Sequence, residues 1–232
     1  MKIRTLDSRL LSAARFVRQG AVFADIGTDH AHLPIFLLKE RRISRAVLSD
    51  INRGPLDSAK ENVIEAGLLS LVELRLTDGA RELSGLGITD VAVCGMGGEL
   101  IARIINDAPW LFDESVRLIL QPMTKVAHLR RALASLGFMI DAEAHSEADG
   151  KNYVTICAHF DGIVRDIGNV EAEIGAEFID NDNKSAQKAY FERKRTAFLK
   201  VIDEKSCAGI SAEREREVLF AIEKRLAAIC GR

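Results

Sequence analysis

Two acids and two histidines crowd one short turn of this chain, Asp25-Ile-Gly27-Thr28-Asp29-His30-Ala-His32-Leu-Pro34. An apolar run, Ala21–Asp25, leads into the turn, and a helical pattern leaves it. Pro34 suits the first turn of that helix, where its missing N–H loses no partner. A strand that ends in an acid, turns on one glycine and enters a helix is the first βα turn of a nucleotide-type α/β fold. Ligands of such folds lie beyond the carboxyl ends of the strands. A dinucleotide would require glycines at G-x-G-x-x-G spacing. Here Asp29 and His32 stand where the second and third glycines belong. Two carboxylates repel phosphate and attract a ligand with a cationic end.

S-adenosylmethionine has such an end, with a sulfonium and an ammonium, and the later strand ends fit its other parts. Asp50, followed by Ile51, closes a second apolar run about 25 residues after Asp25, the distance at which an acid reaches ribose hydroxyls. A carboxylate there accepts from both hydroxyls. Asp78 and Gly79 follow a third run, placed to accept from an adenine amino group. Gly95-Met96-Gly97-Gly98 follows a fourth; without Cβ atoms, a flat substrate can approach the backbone. One Asp at a strand end is usually a turn former or helix cap. Four such signals in order along one sheet exceed what capping explains.

The elements that must position these residues alternate. A helix is expected over about 5–18, then strands over 21–25, 45–50, 71–76, 88–94 and 116–120. Helices over 33–41, 55–66, the stretch to about Asn106, and 126–136 separate them. That alternation implies right-handed βαβ units and a parallel sheet. Residues 138–144 and 153–160 read as a closing antiparallel pair joined through Ala148-Asp149-Gly150-Lys151. Past about residue 162 no strand pattern remains. Gln187, Phe191, Lys194, Phe198 and Val201, then Leu219, Ile222, Leu226 and Ile229, follow heptad-like spacing around a turn at Ser206–Gly209. The expected division is residues 1–162, an α/β domain, and residues 163–232, an antiparallel helical coiled-coil hairpin.

A chain of 232 residues with 47% hydrophobic and 28% charged residues has the composition of an ordinary globular protein. Its net charge of −2 excludes a protein basic all over but not local basic patches. Cys94, Cys157, Cys207 and Cys230 form no C-x-x-C, which argues against a zinc site or disulfide framework and suits a reducing cytosol. No signal peptide and no apolar run of membrane length is visible. The expectations are therefore a cytoplasmic location, no membrane and no obligate protein partner. His30 and His32 beside the two acids lack a further ligand, so no metal is expected.

The motifs D-I-G-T-D-H-A-H-L-P (25–34), D-I-N-R-G-P-L (50–56), T-D-G (77–79), G-M-G-G (95–98) and L-I-L-Q-P (118–122) resemble the TrmK family. Its members are bacterial S-adenosylmethionine-dependent tRNA (adenine-N1)-methyltransferases acting on adenine 22. The resemblance spans about residues 5–160, and the family also carries a C-terminal helical coiled coil. It implies a Rossmann-like class I methyltransferase sheet, with Asp25, Gly27, Thr28, Asp29 and His30 around the methionine end of the cofactor. Asp50 and Ile51 would hold the ribose, Asp78 and Gly79 would bracket the adenine, and Gly95 would touch the cofactor. Asp29 and the Gly95–Gly98 segment (Gly95, Met96, Gly97, Gly98) would face the target base. Amino-methylating relatives carry N-P-P-aromatic there; this chain has neither prolines nor aromatic. Cys94 reads as a small core residue, because N-methylation needs no covalent step.

Substrate contacts are expected from Gln121 and Pro122, from Arg9, and from Lys184, Lys188 and Arg195, which share one helical face. Further basic clusters are Arg4, Arg15 and Arg18; Lys39, Arg41, Arg42 and Arg45; and Arg117, Lys125, Arg130 and Arg131. Such runs are often solvated faces, but several on one surface make a track for a phosphate backbone. Two alternatives remain on this fold: a methyltransferase of small molecules or proteins, and a non-catalytic RNA-binding module.

Overall fold

The computed structural model describes residues 6–175 and 183–231. Seven strands form one sheet in the order β3-β2-β1-β4-β5-β7-β6: β1 (Ala21–Ile26), β2 (Ile43–Asp50), β3 (Val72–Leu76), β4 (Asp90–Gly97), β5 (Arg117–Thr124), β6 (Phe138–Ala148) and β7 (Lys151–Phe160). The first five run parallel, and β7 lies antiparallel between β5 and β6. Chain order reverses between β1 and β4, which opens the crevice where α/β sheets bind ligands. The expected closing pair is present. Asp149 (φ 49°) and Gly150 (φ 67°) make its two-residue turn, as Asp-Gly between alternating strands dictates.

Both faces of the sheet are covered, so its central strands read as nearly continuous apolar runs. Helices α1 (Ser8–Phe16), α2 (His32–Lys39) and α3 (Arg53–Glu65) bury Ala13, Leu33, Leu37, Ala59 and Val63 on one face. Helices α4 (Gly98–Asn106) and α5 (Val126–Ser135) bury Ile101, Ile105, Leu129 and Leu133 on the other. Helix α1 begins at Ser8 because the Asp7 carboxylate accepts from Leu10 N–H at 2.8 Å, a cap that satisfies one orphan donor.

Three helices follow the sheet: α6 (Asn169–Ile174), α7 (Lys184–Cys207) and α8 (Glu213–Ile229). The last two pack together around Phe191, Val218, Ile222 and Leu226, with Phe198 and Ile229 beside them, so the hairpin expected from the heptads is present. Its seam departs from the pattern at Val201, which is exposed while Ile202 is half-buried. The spacing past Phe198 follows the 3.6-residue turn of a straight helix rather than a strict heptad.

The hairpin's root is held to the sheet by charge. Arg130 and Glu143, both buried, pair through two 2.7 Å hydrogen bonds, and Arg130 Nη1 donates to the carbonyl of Ala172 at 2.7 Å. Gly175 passes so close that a Cβ would lie 2.4 Å from Glu143 Oε2. His145 packs on the Tyr190 ring at 4.7 Å. Burial, then the charges of Arg130 and Arg225, push its pKa down to about 3, which makes it a neutral packing residue.

Candidate active site

The carboxyl ends of β1, β2 and β4 bring the expected residues to one edge of the sheet. Asp25 is buried in β1, and Gly27 turns the chain with φ +75° while its N–H and that of Thr28 reach Ser49 O at 2.8 and 3.0 Å. A side chain could not follow this turn cheaply. Asp29 and His30 then stand exposed, 3.4 Å apart between Oδ2 and Nε2, and the His30 and His32 rings stack at 5.3 Å. Ala31 takes a left-handed φ of 54° to start α2, so Pro34 occupies the third helical position rather than the first.

Burial, with the nearby charge of Asp50 adding to it, raises the Asp25 pKa to about 6. A carboxylate held out of water beside a second, half-buried one is an arrangement that a cation completes. The ammonium and sulfonium of S-adenosylmethionine fit that requirement. Asp50 uses Oδ1 to accept from Asn52 N–H at 2.7 Å, which leaves the outer carboxylate oxygen for a ribose. Ile51 beside it is 62% exposed, an apolar flank for a purine or sugar. Asp78 is exposed at the end of β3, and Gly79, at φ +65°, leaves a cradle closed by Ile104, whose Cγ1 would lie 3.3 Å from a Cβ there. Among the described residues, no three His, Cys, Asp or Glu side chains gather as a metal would need.

The glycine segment is built differently from the expected loop. Gly95, Met96 and Gly97 continue β4 through two irregularities in its pairing with β5, and Gly98 is the first residue of α4. Bulges of this kind occur at strand ends beside functional sites and re-aim the backbone. Each glycine has its own reason. Gly95 takes φ +82°; Gly97, at φ −69°, would place a Cβ 3.4 Å from Thr124 Oγ1; a Cβ on Gly98 would strike Lys125 O at 2.5 Å. Close packing of α4 on the backbone at the β5–α5 junction therefore fixes Gly98, the positive φ rather than space fixes Gly95, and Gly97 alone is held by neither. Met96 lays its terminal methyl over Gly27, where a Cβ would come within 1.9 Å of Cε.

Gln121 and Pro122, expected after β5, lie inside it and are buried. They offer no open surface to a large substrate. Gln121 instead works inward: its Oε1 accepts from Arg9 Nη1 at 2.8 Å and from Gly95 N–H at 3.1 Å. That junction of α1, β4 and β5 was not legible as a unit, because the three residues are distant in sequence. Cys94, beside it, has its thiol pKa raised by burial and then by Asp25, which keeps it protonated and unreactive.

Most of the basic clusters serve the fold. Arg18 binds Asp90 at 2.8 Å, Arg42 binds Val17 O at 2.7 Å, Arg117 binds Phe16 O at 3.2 Å and Arg131 binds Asn169 at 3.0 Å. Arg45 donates to Leu86 O. Arg4 lies outside the described residues. Lys184, Lys188 and Arg195 do share the solvent side of α7, with Lys188 3.7 Å from Glu192.

A methyltransferase-domain family is matched by residues 6–156. The chain belongs to that family. Among its relatives is the tRNA (adenine(22)-N(1))-methyltransferase of Bacillus subtilis, 36% identical over 153 residues, which are 66% of this chain and 64% of the relative. The matched segment thus spans somewhat less than two thirds of that protein. Sp1610 of Streptococcus pneumoniae, solved with S-adenosyl-L-methionine, superposes over 96% of this chain and 100% of its own at 29% identity and a TM-score of 0.80. The m1A22 tRNA methyltransferase TrmK of B. subtilis superposes over 98% of both chains at 27% identity and a TM-score of 0.75. The resemblance to the TrmK family drawn from the motifs is borne out by these relatives, and the superpositions extend through the C-terminal helices. Among the described residues, no helix is long and apolar enough to cross a membrane.

Proposed function

We propose that this protein transfers the methyl group of S-adenosylmethionine to N1 of an adenine in tRNA, adenine 22 by its likeness to the B. subtilis enzyme. The observation that carries the cofactor is the buried carboxylate of Asp25 at the end of β1, beside the β1/β4 crevice, with the half-buried Asp50 near enough for its charge to be felt. The substrate follows from the relatives, whose fold matches this chain over nearly its whole length. Asp25, Gly27, Thr28, Asp29 and His30 hold the methionine end, Asp50 and Ile51 the ribose, Asp78 and Gly79 the adenine.

S-adenosylmethionine supplies an electrophilic methyl on a cationic sulfur. Adenine N1 carries an in-plane lone pair at neutral pH, so the protein needs no general base. Its residues act by orientation, holding the base against the Gly95–Gly98 backbone so that N1 meets the methyl in line. The purine becomes cationic as the bond forms. The carbonyls of Gly95 and Met96 and the Asp29 carboxylate favour that charge over the neutral ground state. Gln121 acts through Gly95, whose N–H it accepts, Arg9 holds the Gln121 carboxamide by donating to the same oxygen, and Pro122 backs Met96 across the strand pair. The target base must leave its stack at a cost of a few kcal/mol. Contacts from Lys184, Lys188 and Arg195 on α7 to tRNA phosphates offset that cost. The setting we assign is the cytoplasm, where tRNA is found.

The test is incubation of the purified protein with labelled S-adenosylmethionine and unmodified total tRNA, followed by mapping of the modified nucleoside. Label at N1-methyladenosine is the expected result. Transfer to small molecules or proteins but to no tRNA would favour the alternative methyltransferase reading.

A further inference from the structure

The glycine segment leaves one part of the site unassigned, the surface on which the target base lies. No Phe, Tyr or Trp occurs within residues 25–34, 94–98 or 121–125, which line the site's edge. Trp110 donates to Ala80 O at 2.7 Å, and Phe112 packs edge-on against Phe138 and Phe160 in the core. Met123 is placed differently. It is 41% exposed at the end of β5. The strand register steps from Met96 opposite Pro122 to Gly97 opposite Thr124, so Met123 is left out of the ladder beside Gly97. An extra residue in one strand re-aims its side chain. Gln121 Nε2 lies 3.7 Å from the Met123 sulfur, while Oε1 of the same carboxamide holds Arg9 and the Gly95 N–H. One buried side chain thus tethers an exposed thioether to the backbone proposed to face the base.

We propose that Met123 is a substrate-binding residue, the apolar surface on which the target purine lies during transfer. The inference rests on the tRNA adenine reading above. A thioether is polarizable and makes favourable contacts with aromatic rings, so it serves where an aromatic stacking residue is missing. Its polarizability also suits a ring that turns cationic. Tyr153 is the rival. It is half-buried on β7, the neighbour of β5, just beyond the last residues the two strands pair, Leu120 and Ile156.

The experiment compares steady-state tRNA methylation by the wild type, Met123→Ala, Met123→Leu and Tyr153→Ala, with S-adenosylmethionine affinity from calorimetry. Met123→Ala is expected to lower kcat about tenfold, the size of a lost sulfur–ring or base-stacking contact, with cofactor affinity unchanged. Met123→Leu should recover most of the loss, and Tyr153→Ala should stay near wild type. A kcat within twofold of wild type for Met123→Ala, an equal loss of cofactor affinity, or a loss confined to Tyr153→Ala would each overturn the assignment. A wild type that methylates no tRNA removes the functional reading itself, before any variant is compared.

Discussion

Arg9 of α1 and Gln121 of β5 meet at 2.8 Å, and the same carboxamide oxygen takes the Gly95 N–H at 3.1 Å. Three elements that are remote in sequence thereby meet at one atom of β5, beside the end of β4. Replacing Gln121 with Leu keeps the volume but strands both donors. Gly95 is exposed and Arg9 half-buried, so water takes up the freed donors in part and the cost should be about 1 kcal/mol, the low end of the range for an unmade hydrogen bond. Gln121→Leu should therefore lower the urea midpoint at unchanged slope and reduce tRNA methylation more than it reduces cofactor affinity.

Cofactor binding should depend on pH through Asp25. Its pKa of about 6 in the folded protein lies above the ordinary aspartate value of 3.8, so the folded chain without cofactor holds the proton more tightly than the unfolded chain does. The stability tied to that proton is full below 3.8 and is lost as pH rises through about 6, about 3 kcal/mol in all. A cationic ligand prefers the ionised form. Affinity for S-adenosylmethionine should rise between pH 5 and 7, then level off, with proton release on binding near pH 6. Asp25→Asn should flatten the profile and raise the melting temperature of the cofactor-free protein. Calorimetry in buffers of different ionisation enthalpy measures the release.

Asp50 separates two roles. Asp50→Ala removes both the ribose acceptor and the 2.7 Å bond to Asn52 N–H, whereas Asp50→Asn retains a neutral acceptor for the turn. Each charge-assisted bond lost to the ribose should weaken the cofactor by about 1.5–3 kcal/mol. Both variants should bind poorly, with Asp50→Asn the more stable of the two by denaturant titration. Unchanged affinity in a folded Asp50→Ala protein would remove the ribose assignment.

Neighbouring glycines should respond oppositely. A Cβ on Gly98 would meet Lys125 O at 2.5 Å, so Gly98→Ala must shift α4 or β5 and should destabilise the fold. Gly97, with only Thr124 Oγ1 at 3.4 Å, should accept Ala. If the Gly95–Gly98 segment faces the base, Gly97→Ala will bind cofactor normally and transfer methyl groups slowly. A normal transfer rate would show that Gly97 does not line the base site.

The C-terminal helices are better tested by charge than by deletion, because removing them strips Arg130 of the Ala172 carbonyl and uncovers a buried ion pair. Reversing Lys184, Lys188 and Arg195 to Glu should weaken tRNA binding and flatten its salt dependence. Cofactor affinity should be unchanged. Filter binding at two salt concentrations is sufficient to distinguish a phosphate contact from a solvated face.

Local chemistry made much of this protein legible in its residues. The strand–acid–glycine turn at Asp25–Gly27, the acids at 50 and 78, the Asp149-Gly150 hairpin and the α7/α8 pairing each follow from a short-range rule: alternation, capping, a positive φ, or a heptad. The tertiary structure decided what depends on contact between distant segments. Gly95–Gly97 became the end of a strand because β5 offered pairing partners, and Gly98 is glycine because another backbone passes within van der Waals reach. Most of the arginines that read as a nucleic-acid track bind carbonyls and carboxylates of other elements, since a long cationic side chain is indistinguishable in sequence whether it faces water or a buried partner. Gln121 shows the limit most plainly. Its type and position were visible, but its role belongs to Arg9 and Gly95, which only the folded chain brings to it.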